Sequence, residues 1–131
     1  MKIVILERNS VGEDVSVDCL HELGELTVYP NTAAGEVESR VKEAEIVIAN
    51  KSPLNEETLK HASSLRLICE LATGYDNVDL EYCDRRGIRV VNVVDYSTAA
   101  VAQHTFALCF YVLEKLHHYD HYVKSGRYAA Q

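Results

Sequence analysis

The segment RLICELATGYDNVDLEYCDRRGIRVVNV, residues 66–93, has the pattern of a strand, a turn, a helix and a second strand. The runs RLICEL and RVVNV are short and apolar on both faces, which is typical of fully buried parallel strands. Between them, Asn77 or Asp79 can cap the start of a helix, and Gly87 suits its end. The stretch therefore predicts one βαβ unit with a right-handed crossover.

The same pattern continues towards the amino terminus. Three further apolar runs are KIVIL, LTVY and IVIA, at residues 2–6, 26–29 and 46–49. Helical patterns lie between strands: GEVESRVKEAE has one apolar stripe, and Asn55 precedes EETLKHA as an N-cap with acids in the first turn. Strands that alternate with helices predict an α/β fold, here a flavodoxin-like, doubly wound parallel sheet of five strands.

The carboxyl-terminal part has a different pattern. No Gly or Pro occurs from Thr98 to Lys124, which predicts one long helix over residues 98–124. Two adjacent apolar stripes cover more than half of its circumference, and an outer helix on a one-domain sheet should bury less than that. We therefore expect this helix to pack on two sides, against its own sheet and against a second domain or a second subunit.

Composition excludes several classes of partner. The length of 131 residues suits one compact domain, and the formal net charge of −7 argues against nucleic acid and anionic lipid as partners. No apolar run is long enough for a membrane span, and the start is too short for a secretory signal. The four cysteines form no CxxC pair, which favours reduced thiols and a cytoplasmic protein; they are Cys19, Cys69, Cys83 and Cys109.

The candidate ligand site lies where the predicted strands end, because open α/β sheets bind ligands at the carboxyl ends of their strands. The turn TGYDN, residues 73–77, leads from a strand into a helix N-terminus, where free N–H groups favour an anion. Gly74 lets the backbone approach a ligand, Lys51 adds a positive charge, and Tyr96 adds a hydroxyl and an aromatic wall. These features suit a small carboxylate. The alternative is that Gly74 serves only the turn, with the following Asp-Asn pair serving only the helix cap.

Several other kinds of site find no support in the sequence. No two of the six glycines are near neighbours, so the chain has neither G-x-G-x-x-G nor a phosphate-binding loop. Asn50 stands where a phosphorylation receiver needs an aspartate. His117 and His121 have the i, i+4 spacing of a metal pair, but without a suitable partner they are better explained as a polar helix end. His104 could pass for a catalytic base, but it lacks a carboxylate to orient it. We predict no metal site in this chain.

Taken together, the runs ANKSPL, LATGYDNVDL, GIRVVNVVDYSTAAVAQHTFAL and VKSGRYA resemble the amino-terminal part of the D-isomer-specific 2-hydroxyacid dehydrogenases. The glycerate dehydrogenase, or hydroxypyruvate reductase, branch is the nearest. The resemblance implies a substrate-binding domain at 1–98, an inter-domain and homodimer helix at 98–124, and at 125–131 the start of a crossover. That crossover would lead to a Rossmann nucleotide-binding domain that is absent from this chain.

The resemblance also implies roles for individual residues. The turn at Thr73 and Gly74 would present N–H groups to the carboxylate of a small 2-oxo or 2-hydroxy acid, with Thr73 also near the nicotinamide of NAD or NADP. Asn50 and Lys51 would line the same crevice. Tyr75 belongs to the same turn, and Tyr96 matches a tyrosine that faces the substrate in some members.

Catalysis by this chain alone is not expected. The catalytic Arg, Glu and His of the family would lie beyond residue 131, so we expect the 131-residue piece to bind no cofactor and to be inactive by itself. The sequence leaves two other functions open, which are a non-catalytic binding module of the corepressor kind and a stand-alone sensor of small carboxylates.

Overall fold

The computed structural model describes residues 1–130, and its centre is a parallel sheet of five strands in the order β2-β1-β3-β4-β5. This is the flavodoxin-like order, so the predicted fold class is confirmed. Each predicted apolar run contains one strand or nearly all of it. The strands are β1 (Lys2–Ile5), β2 (Glu25–Val28), β3 (Ile46–Ala49), β4 (Leu67–Glu70) and β5 (Arg89–Val91).

Short helices connect the strands. They are α1 (Val37–Val41), α2 (Glu56–Leu59) and α3 (Leu80–Arg85), followed later by α4 (Thr98–Leu113) and α5 (Leu116–Lys124). The connection from β1 to β2 instead contains two 3-10 helices, Arg8–Ser10 and Asp18–Glu22. The predicted cap at α2 is confirmed, because the Asn55 side chain accepts a hydrogen bond from the Thr58 N–H at 3.2 Å.

Alternating side chains of the strands pack on opposite faces of the sheet. Val4 and Leu6 face the layer formed by α1, α2 and α3, whereas Ile3 and Ile5 face the layer that contains the Asp18–Glu22 helix. All four are nearly inaccessible to solvent. Each such side chain contributes about 1.5–3 kcal/mol on burial, and burial on both faces suits β1, which has a neighbouring strand on each side.

The register of β3 and β4 brings two loops together. Ala49 pairs with Glu70 at the carboxyl ends of these strands, and the Leu71 N–H donates to the Ala49 carbonyl at 2.7 Å. The loops that begin at Asn50 and Leu71 therefore start side by side, at the edge of the sheet where the sequence predicts a ligand.

The chain divides into two compact units, Met1–Val94 and the residues from Asp95 onwards. The second unit contains α4 and α5, so the prediction of one continuous helix over 98–124 is wrong. Lys115 adopts the left-handed conformation, with φ of 51°, and ends the hydrogen-bonding pattern of α4. A non-glycine residue in this conformation costs about 1–2 kcal/mol, and no Gly or Pro marks the position, which is why the sequence did not show the break.

Among residues 1–130, no helix is both long and apolar enough to cross a membrane.

Candidate functional site

The candidate site is formed by two adjoining loops of the first unit, Asn50–Ser52 after β3 and Thr73–Tyr75 after β4. The Asn77 side chain connects them, because its Nδ2 donates to the Ser52 carbonyl at 3.0 Å and to Glu70 Oε2 at 3.2 Å. The structure therefore brings four of the predicted site residues, Asn50, Lys51, Thr73 and Gly74, onto neighbouring loops at one end of the sheet.

The turn at Thr73 is anchored to the segment that follows β5. The Thr73 hydroxyl donates to the Val93 carbonyl at 2.9 Å, and the Asn92 side-chain amide donates to the Thr73 carbonyl at 2.8 Å. In the part of the chain that the structure describes, the amide N–H groups of Thr73 and Gly74 have no backbone or side-chain acceptor. The turn is exposed, so both N–H groups are available to an anion.

Gly74 is not required by the backbone of this turn. It has no positive φ, and an added Cβ would meet only Asp76 Oδ2, at 3.8 Å, which is an ordinary contact. The alternative that Gly74 serves only the turn therefore has no steric basis within residues 1–130. A missing side chain here leaves room for another group to approach the two N–H donors.

The turn does not lead directly into a helix N-terminus, and this part of the prediction is wrong. Helix α3 begins at Leu80, and Asp79 caps it by accepting a hydrogen bond from the Tyr82 N–H at 2.9 Å. Asn77 is not the cap, because its side chain binds Ser52 and Glu70 instead. An anion at Gly74 would therefore meet the amides of the turn and not those of α3.

Lys51 contributes the positive charge of the site. Its side chain is exposed, and it lines a cavity of about 410 Å³ at the carboxyl ends of β1 and β3. Most of the other lining groups are polar, and they are Glu7, Asn9, Ser10, Asn31, Thr32, Ala34, Ser52 and Pro53. More of the surface of this cavity is apolar than polar, so Lys51 is the group that would attract a small acid there.

Two buried acids support these loops, and the sequence analysis missed both. Glu7 and Glu70 are 8% and 2% exposed. Burial raises the pKa of the Glu70 carboxyl, and this is the largest effect. The hydrogen bond from Asn77 lowers this pKa, the negative charge of Glu7 raises it, and the positive charge of Lys51 lowers it. The signal in the sequence was a glutamate in an apolar strand run, as in KIVILE and RLICEL.

The two predicted tyrosines lie in different units. Tyr75 is 45% exposed and lines a shallow cavity with Leu80, Val90 and Asn92. Tyr96 is 67% exposed and belongs to the second unit, which begins at Asp95.

Other reactive side chains do not gather into a site. All four cysteines are free thiols. Over residues 1–130, no three His, Cys, Asp or Glu side chains are grouped so that they could hold a metal ion.

Comparison with known families gives one match that covers most of the chain. The model of the family "D-isomer specific 2-hydroxyacid dehydrogenase, catalytic domain" matches residues 3–124.

Two relatives have similar sequences over almost the whole chain. A hydroxypyruvate reductase of Blautia hydrogenotrophica is 34% identical, over 98% of this chain and 41% of its own length. A glycerate dehydrogenase of Methylorubrum extorquens is 35% identical, over 95% of this chain and 40% of its own length. The chain thus spans about two fifths of the length of these relatives.

Solved structures agree with this result. An acyclic imino acid reductase in complex with NADPH and D-Arg superposes with a TM-score of 0.83 at 27% identity, over 96% of this chain and 41% of the other. A D-lactate dehydrogenase of Aquifex aeolicus, complexed with NAD and lactic acid, superposes with a TM-score of 0.75 at 29% identity, over 95% and 37% of the two chains.

Proposed function

The chain belongs to the D-isomer specific 2-hydroxyacid dehydrogenases, and we propose that it forms the substrate-binding part of such an enzyme. The complete enzyme would interconvert a small 2-hydroxy acid and its 2-oxo acid with NAD or NADP. The names of the relatives, hydroxypyruvate reductase, glycerate dehydrogenase and glyoxylate reductase, support acids of two or three carbons as substrates. They do not favour a non-catalytic binding module.

The observation that carries this proposal is the exposed turn at Thr73 and Gly74, whose two amide N–H groups have no acceptor among residues 1–130. A carboxylate accepts hydrogen bonds at both oxygens and can take both N–H groups at once. Lys51, on the adjoining loop, would add a favourable charge. Binding at this turn would fix the acid by its carboxylate and direct carbon 2 away from the sheet.

The described residues fit only one end of a dinucleotide. No glycine-rich loop is present for a pyrophosphate, whereas the exposed Thr73 turn offers a surface for the nicotinamide edge. When bound, NAD(P) supplies or accepts the hydride at carbon 2. The residues of this chain would hold and orient the acid, and orientation alone can lower the barrier by several kcal/mol, about 7–11 kcal/mol in the best model systems. We propose that the proton-transferring residues lie outside these 131 positions.

Helix α4 supports a proposal about assembly. None of its side chains is buried, and Phe106, Leu108 and Val112 are 64%, 53% and 71% exposed. Large exposed apolar surfaces of this kind mark protein interfaces. We propose that a second copy of the chain covers this helix, which gives a homodimer.

The test of the substrate proposal is a titration of the ¹⁵N-labelled chain with hydroxypyruvate, followed by amide NMR. We expect saturable shifts at Lys51, Thr73 and Gly74. Gly74→Val should weaken the affinity at least about tenfold, equal to about 1.4 kcal/mol, because its side chain fills the space at the two N–H groups.

Gly35→Val is the matched control, because an added Cβ at Gly35 meets nothing within 4 Å. It should bind like the parent chain, and both variants should keep the parent circular dichroism spectrum. Shifts that lie elsewhere, or an affinity that Gly74→Val leaves unchanged in a folded chain, would refute the proposed site.

A further inference from the structure

The loop that carries Lys51 is held from behind by one buried carboxylate. Glu7 Oε2 accepts the Asn50 N–H at 3.0 Å, and Oε1 accepts the N–H groups of Lys51 at 3.3 Å and Ser52 at 2.5 Å. Three successive amides thus point at one side chain. N–H donors suit an ionised carboxylate, which only accepts hydrogen bonds.

A second buried acid lies beside this arrangement. Glu70, the last residue of β4, is 2% exposed, and its Oε2 accepts a hydrogen bond from Asn77 Nδ2. Within residues 1–130, Glu70 Oε1 and the Ser52 hydroxyl have no hydrogen-bond partner. A buried acceptor with a full charge and one unpaired oxygen is costly, whereas a neutral acid carries its proton on that oxygen at lower cost.

Two charged groups face Glu70, and the one with the larger effect, Glu7, favours its neutral form. They are Glu7, from the end of β1, and Lys51, from the loop after β3. Glu7 is already surrounded by three N–H donors, so of the two acids it is the better placed to hold the negative charge. Two buried carboxyls near each other resist simultaneous ionisation, and the exposed Lys51 only partly offsets this.

We propose that Glu70 is a proton-dependent positioning residue, which holds the Asn50–Ser52 loop and the Thr73–Gly74 turn at their observed spacing only while its carboxyl group is neutral. Asn77 is the link, because its one amide nitrogen donates to both Ser52 and Glu70. Ionisation adds a second buried negative charge next to Glu7. The two acids then repel each other, and the loop held by Glu7 moves away from the strand that carries Glu70.

The effect on ligand binding rests on the function proposed above. If the two loops form one carboxylate site, affinity should fall as the pH rises through the titration of Glu70. Glu70 binds its proton more tightly in the folded chain, because burial raises its pKa. Stability that depends on this proton is present at low pH and is lost as the pH rises through the folded-state pKa.

The experiment has a ligand-free part that decides the inference. Side-chain ¹³C NMR of the full chain should show one glutamate that titrates above the ordinary range and is missing in Glu70→Gln. In the parent chain, the Asn77 side-chain amide and the Asn50 and Ser52 amides should shift with the same midpoint. In Glu70→Gln, which imitates the neutral acid, they should stay constant over this range.

Glu81→Gln is the matched control, since Glu81 is exposed in the first turn of α3. It should keep the parent pH response. The inference is wrong if the Glu70 carboxyl titrates while the three amides stay constant, or if they respond equally in Glu70→Gln. Whether the three amides shift with the Glu70 titration is measured in the parent chain alone, so the test remains even if a variant fails to fold.

Hydroxypyruvate titrations at several pH values add the ligand part. The parent affinity should fall with rising pH by at most about tenfold per pH unit, the limit for one linked proton, and the affinity of Glu70→Gln should be flat. An absence of binding at every pH would refute the proposed function alone, because the ligand-free amide response still decides the role of Glu70.

Discussion

Leu54 and Val78 form an isolated parallel bridge beyond the ends of β3 and β4. The Leu54 N–H donates to the Asn77 carbonyl at 2.8 Å, and the Asp79 N–H donates to the Leu54 carbonyl at 2.9 Å. Both bridge residues are buried, Leu54 completely and Val78 at 7% exposure. The two loops of the candidate site are therefore joined on their far sides as well as at the sheet.

Loss of the Lys51 charge should weaken substrate binding. Lys51→Gln removes the cation that we place at the site. We expect hydroxypyruvate affinity to fall about three- to tenfold, because two opposite charges about 4 Å apart in water attract by about 1 kcal/mol. The difference from the parent chain should shrink in high salt. Lys42→Gln, an exposed lysine at the end of α1, is the control. Equal losses in both variants would mean that only net charge matters.

Truncation of Glu7 should destabilise the fold. Glu7→Ala leaves the N–H groups of Asn50, Lys51 and Ser52 without their acceptor in a largely buried place. We expect a loss of about 2–4 kcal/mol in the free energy of unfolding. Urea denaturation followed by tyrosine fluorescence can measure it, since the chain has 8 Tyr and no Trp. Exposed Glu13→Ala should change stability little, and an equally stable Glu7→Ala would contradict the structure.

Glu45 should support the fold at neutral pH and lose this role in acid. The Lys2 N–H donates to Glu45 Oε1 at 3.0 Å, and Arg66 lies 2.7 Å from Oε2. The Lys2 hydrogen bond is the largest cause of a lowered Glu45 pKa, with the amino terminus and Arg66 adding to it. Because the folded-state pKa is depressed, the stabilisation is present above the unfolded-state pKa, about 4.3, and is lost as the pH falls through the folded-state value.

The variant Glu45→Gln tests this directly. Its unfolding free energy should lie below that of the parent chain at pH 7 and approach it as the pH falls below about 4. Denaturation midpoints measured across this range give the difference. A gap that stays constant with pH would show that the Glu45 charge is not involved.

The four thiols should react in two groups. Burial raises the pKa of the Cys69 and Cys83 thiols, and Asp79 raises that of Cys83 further. Cys19 and Cys109 are exposed. The thiolate is the reactive form, so in the dissociated single chain a disulfide reagent should modify two cysteines quickly and the other two only on unfolding. The double variant Cys19→Ser, Cys109→Ser should lose the fast phase, and fast modification of Cys69 in the folded chain would contradict this.

The proposed homodimer should depend on the apolar surface of α4. Phe106→Glu places a charge on a side chain that is 64% exposed in the single chain. If a second copy covers it, the dissociation constant from sedimentation equilibrium should rise more than tenfold, because a charge would be buried without a partner. Ser64→Glu, at an exposed position of the first unit, is the control for added charge. An unchanged dissociation constant for Phe106→Glu would place the interface elsewhere.

Most of the fold could be predicted because its signals are local. Five apolar runs became five strands, and Asn55 and Gly87 marked helix ends where the structure has them. The break at Lys115 could not be predicted, because a lysine in the left-handed conformation has no sequence signal such as a Gly or Pro. The sequence also could not show that Asp79, and not Asn77, caps α3. The Asn77 side-chain amide donates to Ser52 and Glu70 instead, and these two residues are distant in sequence from one another.

The α/β class, the flavodoxin-like strand order and the positions of the two candidate loops could be predicted from the sequence, because periodicity and strand ends depend on neighbouring residues. The tertiary structure alone decided what supports those loops. Glu7 lies 45 residues before Ser52, yet it accepts its N–H. The charge of Glu7 acts on Glu70 only because β1, β3 and β4 are consecutive strands of the sheet. A buried acid takes its protonation state from such distant neighbours, so no local pattern can reveal it.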